Sequence, residues 1–212
     1  MYLDTANEKS YTGANWNDLS GNENTANLIN SPTFDEDKNG SLSLDGTNQW
    51  VNVIVSPEIN NDFTFIAWAK RDGNTSTGIG GIFGNHFHTQ LSGAGMFFRN
   101  ASTYVDMSAG NGTSRPSHRV NIPRSNLEWN FYCIRYTGTN YQFYFNGELL
   151  DSRTAVVIQS SSTNNFAIGR WASSYGSYYL NGNISNCIAY NISLSPEQIK
   201  QNFNATKSRF GL

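Results

Sequence analysis

Oxygen-bearing side chains crowd two short stretches of this 212-residue chain. Asp18, Asn22 and Asn24 fall within Trp16–Asn24, and Asp45 and Asn48 share a second polar turn. Calcium takes roughly six to eight oxygens from carboxylates, carbonyls and amides, so the two sets together would supply part of a structural Ca2+ shell. The same residue types also anchor turns through nearby backbone amides, and that alternative stays open for Asp18 and Asp45. His86 and His88 alternate on one strand face, but a transition metal needs further ligands, and the remaining histidine is His118. Asp35, Glu36 and Asp37 sit beside Lys38, the pattern of a solvated charged turn. Neither Cys133 nor Cys187 has a neighbouring histidine, and no Gly-x-Ser-x-Gly occurs, so no nucleophile motif is visible.

Binding chemistry is better represented. A pyranose has one apolar face and a rim of hydroxyls, so sugar sites combine aromatic rings with amides and hydroxyls. Trp171, Tyr175, Tyr178 and Tyr179 crowd a Ser- and Gly-rich stretch that fits this description. Arg170, His86, Arg99 and Asn100 are the candidate polar companions. The same rings would also serve for contact with a neighbouring subunit, the preferred reading, or for packing on the rim of the fold.

The elements that must position these residues read as strands. Trp129–Tyr136 and Tyr141–Phe145 are rich in aromatic and β-branched residues and flank Thr137-Gly138-Thr139-Asn140, which predicts a β-hairpin. Tyr141, Phe143 and Phe145 point one way, so a second sheet must cover them. Phe63–Ala69 carries large residues on both faces and belongs in the middle of a sheet. Further strands are expected at Met1–Thr5, at Leu42–Leu44, along Val51, Val53 and Val55, and at Asn165–Arg170 and Tyr179–Asn191. A second hairpin is expected over Gly95–Asn100 and Ser102–Met107. Gly78–Gly84 reads as irregular, with Ile82-Phe83 entering a strand, and Ala109–Asn126 and Trp171–Tyr179 read as loops. One helix is expected near the end: Ser195 as N-cap, Pro196 at the first helical position, Gln198 closing a capping box, Leu194 and Ile199 as a staple.

The totals narrow the classes. Charged residues are 14% of the chain, against roughly 25% in an average globular protein. Aromatics are 14% and hydrophobics 38%, enough for a large core in a single domain over 1–212. Lys and Arg total 14 against 16 Asp and Glu, a formal net charge of -2 with no basic stripe, which argues against nucleic acid as partner. No apolar run approaches the ~20 residues of a membrane span, and no cleavable signal is expected from the acidic start. The cysteines read as free buried thiols, although a disulfide is open if their strands face each other.

Taken in order, W-N-D-L-S-G-N-E-N (16–24), S-L-S-L-D-G-T-N-Q-W-V (41–51), F-T-F-I-A-W-A-K (63–70), Trp129–Gly138 followed by Y-F-N-G (144–147), I-G-R (168–170) and Gly182–Tyr190 resemble a laminin-G-like, concanavalin A-type jelly roll. The resemblance implies an all-β, two-sheet antiparallel sandwich with loops at the rims and often one structural calcium. It implies carbohydrate or protein binding, although some relatives are glycanases. Ser185 and Asn186 depart from the acidic pair common in the family, and Gln49 stands where an Asp is common. The acidic alternation E-x-D-x-x-E of laminarinase relatives is absent. The end of the chain, 194–205 and 209–212, resembles the ends of such domains in tailed-bacteriophage structural proteins. The expectation is therefore a non-enzymatic virion module in a fibre, neck appendage or capsid decoration, assembled in the host cytoplasm. It would join an oligomer or larger assembly and touch other virion proteins or host-surface carbohydrate. The alternatives are a polysaccharide depolymerase of the same fold and an adhesin domain of a longer bacterial surface protein.

Overall fold

The computed structural model describes residues 1–36, 40–54, 62–75, 77–85, 92–101, 103–114, 117–154, 158, 166–173 and 176–212. In chain order the strands begin with β1 (Tyr2–Asp4), β2 (Trp16–Asn17), β3 (Thr25–Ile29), β4 (Thr33–Asp35), β5 (Ser41–Asp45) and β6 (Trp50–Val53). They continue with β7 (Asp62–Arg71), β8 (Ile79–Gly84), β9 (Ala94–Arg99), β10 (Tyr104–Ala109), β11 (Ser117–Asn121) and β12 (Asn130–Thr137). The last are β13 (Asn140–Phe145), β14 (Glu148–Thr154), β15 (Phe166–Ile168), β16 (Arg170–Ser173), β17 (Gly176–Tyr179) and β18 (Asn181–Tyr190). Helix α1 (Pro196–Thr206) and a 3-10 turn over Lys207–Phe210 follow.

Two antiparallel sheets face each other. The first runs β14-β13-β12-β7-β18-β5-β4 with β1 also on β18, and the second β11-β10-β9-β8-β15-β6-β3-β2. The predicted hairpin is β12–β13, in the register Ile134 opposite Phe143 and Tyr136 opposite Tyr141. Its ring face is covered as period-2 geometry requires: the Tyr141 hydroxyl donates to the Ser108 carbonyl of the opposite sheet at 3.2 Å. Phe65 meets Phe166 edge-on at 5.1 Å and Phe98 meets Tyr132 at 5.3 Å, closing the interior from both layers.

Strand β7 lies between β12 and β18, and both of its faces are buried. Phe63, Phe65, Ala67 and Ala69 enter the core between the sheets. Ile66 and Trp68 enter a second cluster on the outer face, which α1 and the final turn cover through Ile199 and Phe210. The helix begins as its cap residues require. Ser195 Oγ accepts from the Gln198 amide at 3.3 Å, Gln198 Oε1 accepts from the Ser195 amide at 2.8 Å, and the staple residues Leu194 and Ile199 are both buried.

Several sequence expectations need correction. The strand expected at Ile82-Phe83 is present but starts earlier: β8 takes in most of the stretch expected to be irregular, and its glycines make room for another backbone that crosses it. The supposed loop 109–126 contains edge strand β11, whose Val120 is its one buried apolar residue, too weak an alternation to read. The supposed loop 171–179 contains the ribbon β16–β17. The turn-rich start hides β2 and β3, and β14 is almost wholly exposed, so its composition is that of a loop. Val55 and the charged turn residues Asp37 and Lys38 lie outside the described residues.

Cys133 and Cys187 are free. They sit on β12 and β18 with β7 between, one in the outer cluster and one in the inner core. Side chains on opposite faces of a sheet two strands apart do not meet disulfide geometry.

Candidate binding face

The outer face of the second sheet gathers most of the chemistry. Ribbon β16–β17 lies across it because Gly81 leaves no Cβ where the Arg170–Trp171 peptide passes. Gly95 likewise lets the Trp171 ring settle; a Cβ there would be 3.3 Å from that ring. Trp171 packs edge-on against Phe97, centroids 4.3 Å apart, and is only 6% exposed. It is therefore no open platform, and for this ring the packing alternative fits the burial. Burial of its large ring holds the ribbon down instead. Tyr178, opposite Trp171 in the ribbon, is half-buried.

Period-2 alternation puts Phe97, Arg99, Tyr104, Asp106 and Arg119 on this face, since Met96, Phe98, Val105, Met107 and Val120 point to the core. Asp106 is the only carboxylate on the strands of this sheet. Its side chain is 3% exposed, and two arginines hold it: Arg99 Nε donates at 2.7 Å and Arg119 Nε at 3.1 Å. Asp106 and Arg119 are directly paired across β10 and β11. The Arg99 guanidinium also sits 5.3 Å from the Phe97 centroid, and that of Arg119 lies 5.4 Å from the Tyr104 centroid. The hydrogen bond and charge of Asp106 raise the Arg119 pKa. Bonding through Nε leaves each outer Nη edge without an acceptor among the described residues. Further along the face, Arg170 lies 4.5 Å over Trp50 and 5.7 Å from the Tyr179 ring.

The structure thus brings Arg170, Trp171, Tyr178 and Arg99 onto one face. Asn100 has another occupation: its side chain accepts from the Thr75 amide at 3.1 Å and donates to the Thr75 carbonyl at 2.9 Å, clipping the turn before β8. Tyr175 and His86 lie outside the described residues. Asp106, Phe97 and Arg119 escaped the sequence reading. The alternation V-D-M in β10 marks an acid on a buried strand, but its arginine partners emerge only from strand pairing.

The oxygen-rich stretches do not meet. Asp18 accepts from the Tyr2 amide (2.7 Å), the Ser20 amide (2.9 Å), the Ser20 hydroxyl (2.8 Å) and Asn24 Nδ2 (2.5 Å). Asn22 donates to the Ser20 hydroxyl at 3.0 Å. Burial pushes the Asp18 carboxyl up, but these hydrogen bonds outweigh it and hold the carboxyl below its usual range. Asp45 accepts from the amides of Thr47, Asn48 and Gln49 at 2.8, 3.1 and 3.2 Å, with the same net result. Tyr2 lies opposite Ile188 and Asp45 opposite Asn181, so the two sets are about 20 Å apart along β18. Each carboxylate is occupied by donors, and the sets do not compose one calcium shell. Among the described residues no group of three or more His, Cys, Asp and Glu is placed to hold a metal.

The fold has clear likenesses. It superposes on the botulinum neurotoxin serotype G binding domain with TM-score 0.73 at 13% identity, covering 98% of this chain and 51% of that one. The serotype D binding domain gives 0.72 at 15%, covering 97% and 51%. The binding domain of botulinum neurotoxin DC, solved in complex with SialylT, gives 0.70 at 14%, covering 96% and 51%. The chain spans about half the length of each of those domains, and at such identity the likeness establishes the fold. A sequence comparison with curated proteins finds no match. No helix among the described residues is long and apolar enough to cross a membrane. The model of the concanavalin A-like lectin/glucanase superfamily matches residues 44–200, well over half of the sequence, and the chain belongs to that superfamily.

Proposed function

We propose that this domain is a non-catalytic recognition module whose second-sheet face binds an acidic saccharide. The observation that carries the reading is the Arg99–Asp106–Arg119 cluster. A buried carboxylate fixes two guanidiniums by their Nε edges and leaves their outer edges preorganised for a carboxylate or sulfate, the geometry in which arginine binds anions best. The half-buried rings of Tyr104, Trp50 and Tyr179, rather than the buried Phe97 and Trp171, supply apolar surface for a sugar face. Three arginines against one strand carboxylate make this face locally positive on a chain whose formal net charge is -2. Recognition without hydrolysis is favoured because Asp106 is bonded to both arginines and has no second carboxylate beside it on these strands, whereas glycosidases set two opposed carboxyls about 5–10 Å apart. The structural neighbours are themselves binding domains, one of them in complex with SialylT, which supports the same class for this chain.

Host-surface glycan is the corresponding partner, and display on a virion, in contact with its other proteins as part of an assembly, rests on the C-terminal resemblance alone. Phe203 and Phe210 within that segment also have a packing role against Trp68.

A glycan array carrying sialylated, uronate-containing, sulfated and neutral chains tests the reading. Acidic chains should bind, salt should weaken them, and Arg119→Ala, at a side chain 52% exposed, should abolish binding without unfolding. Binding confined to neutral chains, or unchanged in R119A, would sink it.

A further inference from the structure

The arginine face is held from behind by two buried polar residues. Arg71 ends the inward row Phe63, Phe65, Ala67 and Ala69 of β7, and period-2 alternation aims it between the sheets. It is 5% exposed. Its Nη1 donates to the Arg99 carbonyl at 3.0 Å and to Asn74 Oδ1 at 2.9 Å. A first-sheet side chain thus crosses the interior to hold the last residue of β9. The Arg71 amide donates to the Asn126 carbonyl at 2.7 Å. Asn126 is wholly buried, and its Nδ2 donates to the carbonyls of Ala101 and Tyr104 at 3.0 and 3.2 Å. Both flanks of the β9–β10 connection, and with them Arg99 and Tyr104, are therefore tethered to the opposite layer.

This tether is costly to bury. Arg71 Nε and Asn126 Oδ1 have no hydrogen-bond partner among the described residues. Both acceptors of Arg71 Nη1 are neutral, and the neighbouring Asp72 is paired with Lys70 at 3.2 Å. Burial lowers the Arg71 pKa from its ordinary value, as expected of a charge removed from water. A side chain kept only to fill this space would be apolar, like the four before it in the row.

We propose that Arg71 is a positioning residue for the arginine face: by fixing the Arg99 carbonyl it sets the guanidinium that Asp106 orients. It thereby decides whether an anion meets two aligned arginines or one. The inference rests on the recognition role argued above for that face. Arg99 needs such a tether because it ends its strand, one step beyond the last pair of β9 with β10, Phe98 opposite Val105. Strand ends fray most easily. Arg119 lies within β11, directly opposite Asp106, and needs none.

Arginine Nε–H signals of the isotope-labelled full chain provide the test. Arg99 and Arg119 each donate through Nε to Asp106, so in the parent both signals should be slowed in exchange with water. Arg71→Met leaves no main-chain carbonyl unpaired, since the Ala101 amide also donates to the Arg99 carbonyl at 2.7 Å. In this variant the Arg99 signal should be lost to exchange while that of Arg119 is kept. Affinity for the acidic glycan that the parent binds best should fall about tenfold. Arg99→Ala added to R71M should weaken binding no further than Arg99→Ala alone, because both act through one guanidinium. If R71M fails to fold, Asn74→Ala replaces it: Asn74 is exposed and holds the same Nη1, so the Arg99 signal should weaken in the same direction. A parent that binds no acidic chain refutes the recognition reading, and the Nε–H signals still decide the positioning. Both signals unchanged in the folded variant overturn the proposal, as does parental affinity in a variant that has lost only stability.

Discussion

Phe210 lies flat on Trp68, ring centroids 4.0 Å apart and planes 13° from parallel. Phe203 stacks on the same indole at 5.8 Å, and the Trp68 indole N–H donates to the Thr206 hydroxyl at 2.8 Å. The end of the chain therefore closes the outer face of the central strand. Phe210 is 4% exposed, and removing a buried phenyl ring costs about 3–5 kcal/mol. Phe210→Ala should lower the unfolding free energy by that amount, seen as a lower urea midpoint with the slope unchanged, read by Trp fluorescence. A loss under ~1 kcal/mol would show that this tail adds little.

Gly81 carries the crossing of the ribbon over β8. A Cβ there would collide with the Arg170 carbonyl carbon and the Trp171 amide nitrogen, both backbone atoms that no rotamer change can move aside. Gly81→Ala should destabilise by about 1–3 kcal/mol, the usual range for overpacking. It should also lift Trp171 from Phe97 and weaken any ligand of the arginine face. Near-ultraviolet dichroism and array binding on the same sample check both; a variant with parental signals would mean that the ribbon does not rest on this contact.

Asp18 gives the acid limb of stability its sign. Its folded carboxyl is held below the ordinary range, so the unfolded chain binds a proton more readily. The contribution is full above the unfolded value of about 4 and is lost as pH falls through the lower folded one. Asp18→Asn should therefore destabilise at neutral pH and approach the parent as pH falls through the lowered folded value, measured as unfolding free energy against pH. Because its oxygens already accept from Tyr2, Ser20 and Asn24, calcium added after chelation should leave the melting temperature unchanged.

The sandwich was legible where one strand carried its own signal. Phe63–Ala69 shows large residues on both faces, which demands a covered strand, and Ser195–Ile199 contains a whole helix start. The site was less legible because it is made by pairing. Arg119 sits on an edge strand with one buried apolar residue, so composition hid it, and nothing local to Asp106 indicates that Arg99 and Arg119 converge on it. Trp171 was read as a ring on a loop. Its burial depends on glycines in β8 and β9, far away in sequence.

The two thiols report separately on the two sides of the first sheet. Cys133 lies in the cluster under α1, and Cys187 in the core between the sheets. Burial pushes both thiols well above their ordinary range, so neither is a thiolate in the native protein at neutral pH. Native protein should therefore be inert to an aromatic disulfide reagent, with both thiols reacting once denaturant unfolds it. Below the transition the order becomes informative. The outer cluster is closed by one short helix and a turn, whereas the inner core is closed by a whole sheet, so detachment of α1 is the smaller opening. Cys133 should be labelled ahead of Cys187, and Phe210→Ala should accelerate Cys133 alone, as read by mass spectrometry of the labelled peptides. Equal rates in the parent and in F210A would mean that helix and sandwich open as one unit, and that Trp68 couples them too tightly for the outer face to open by itself.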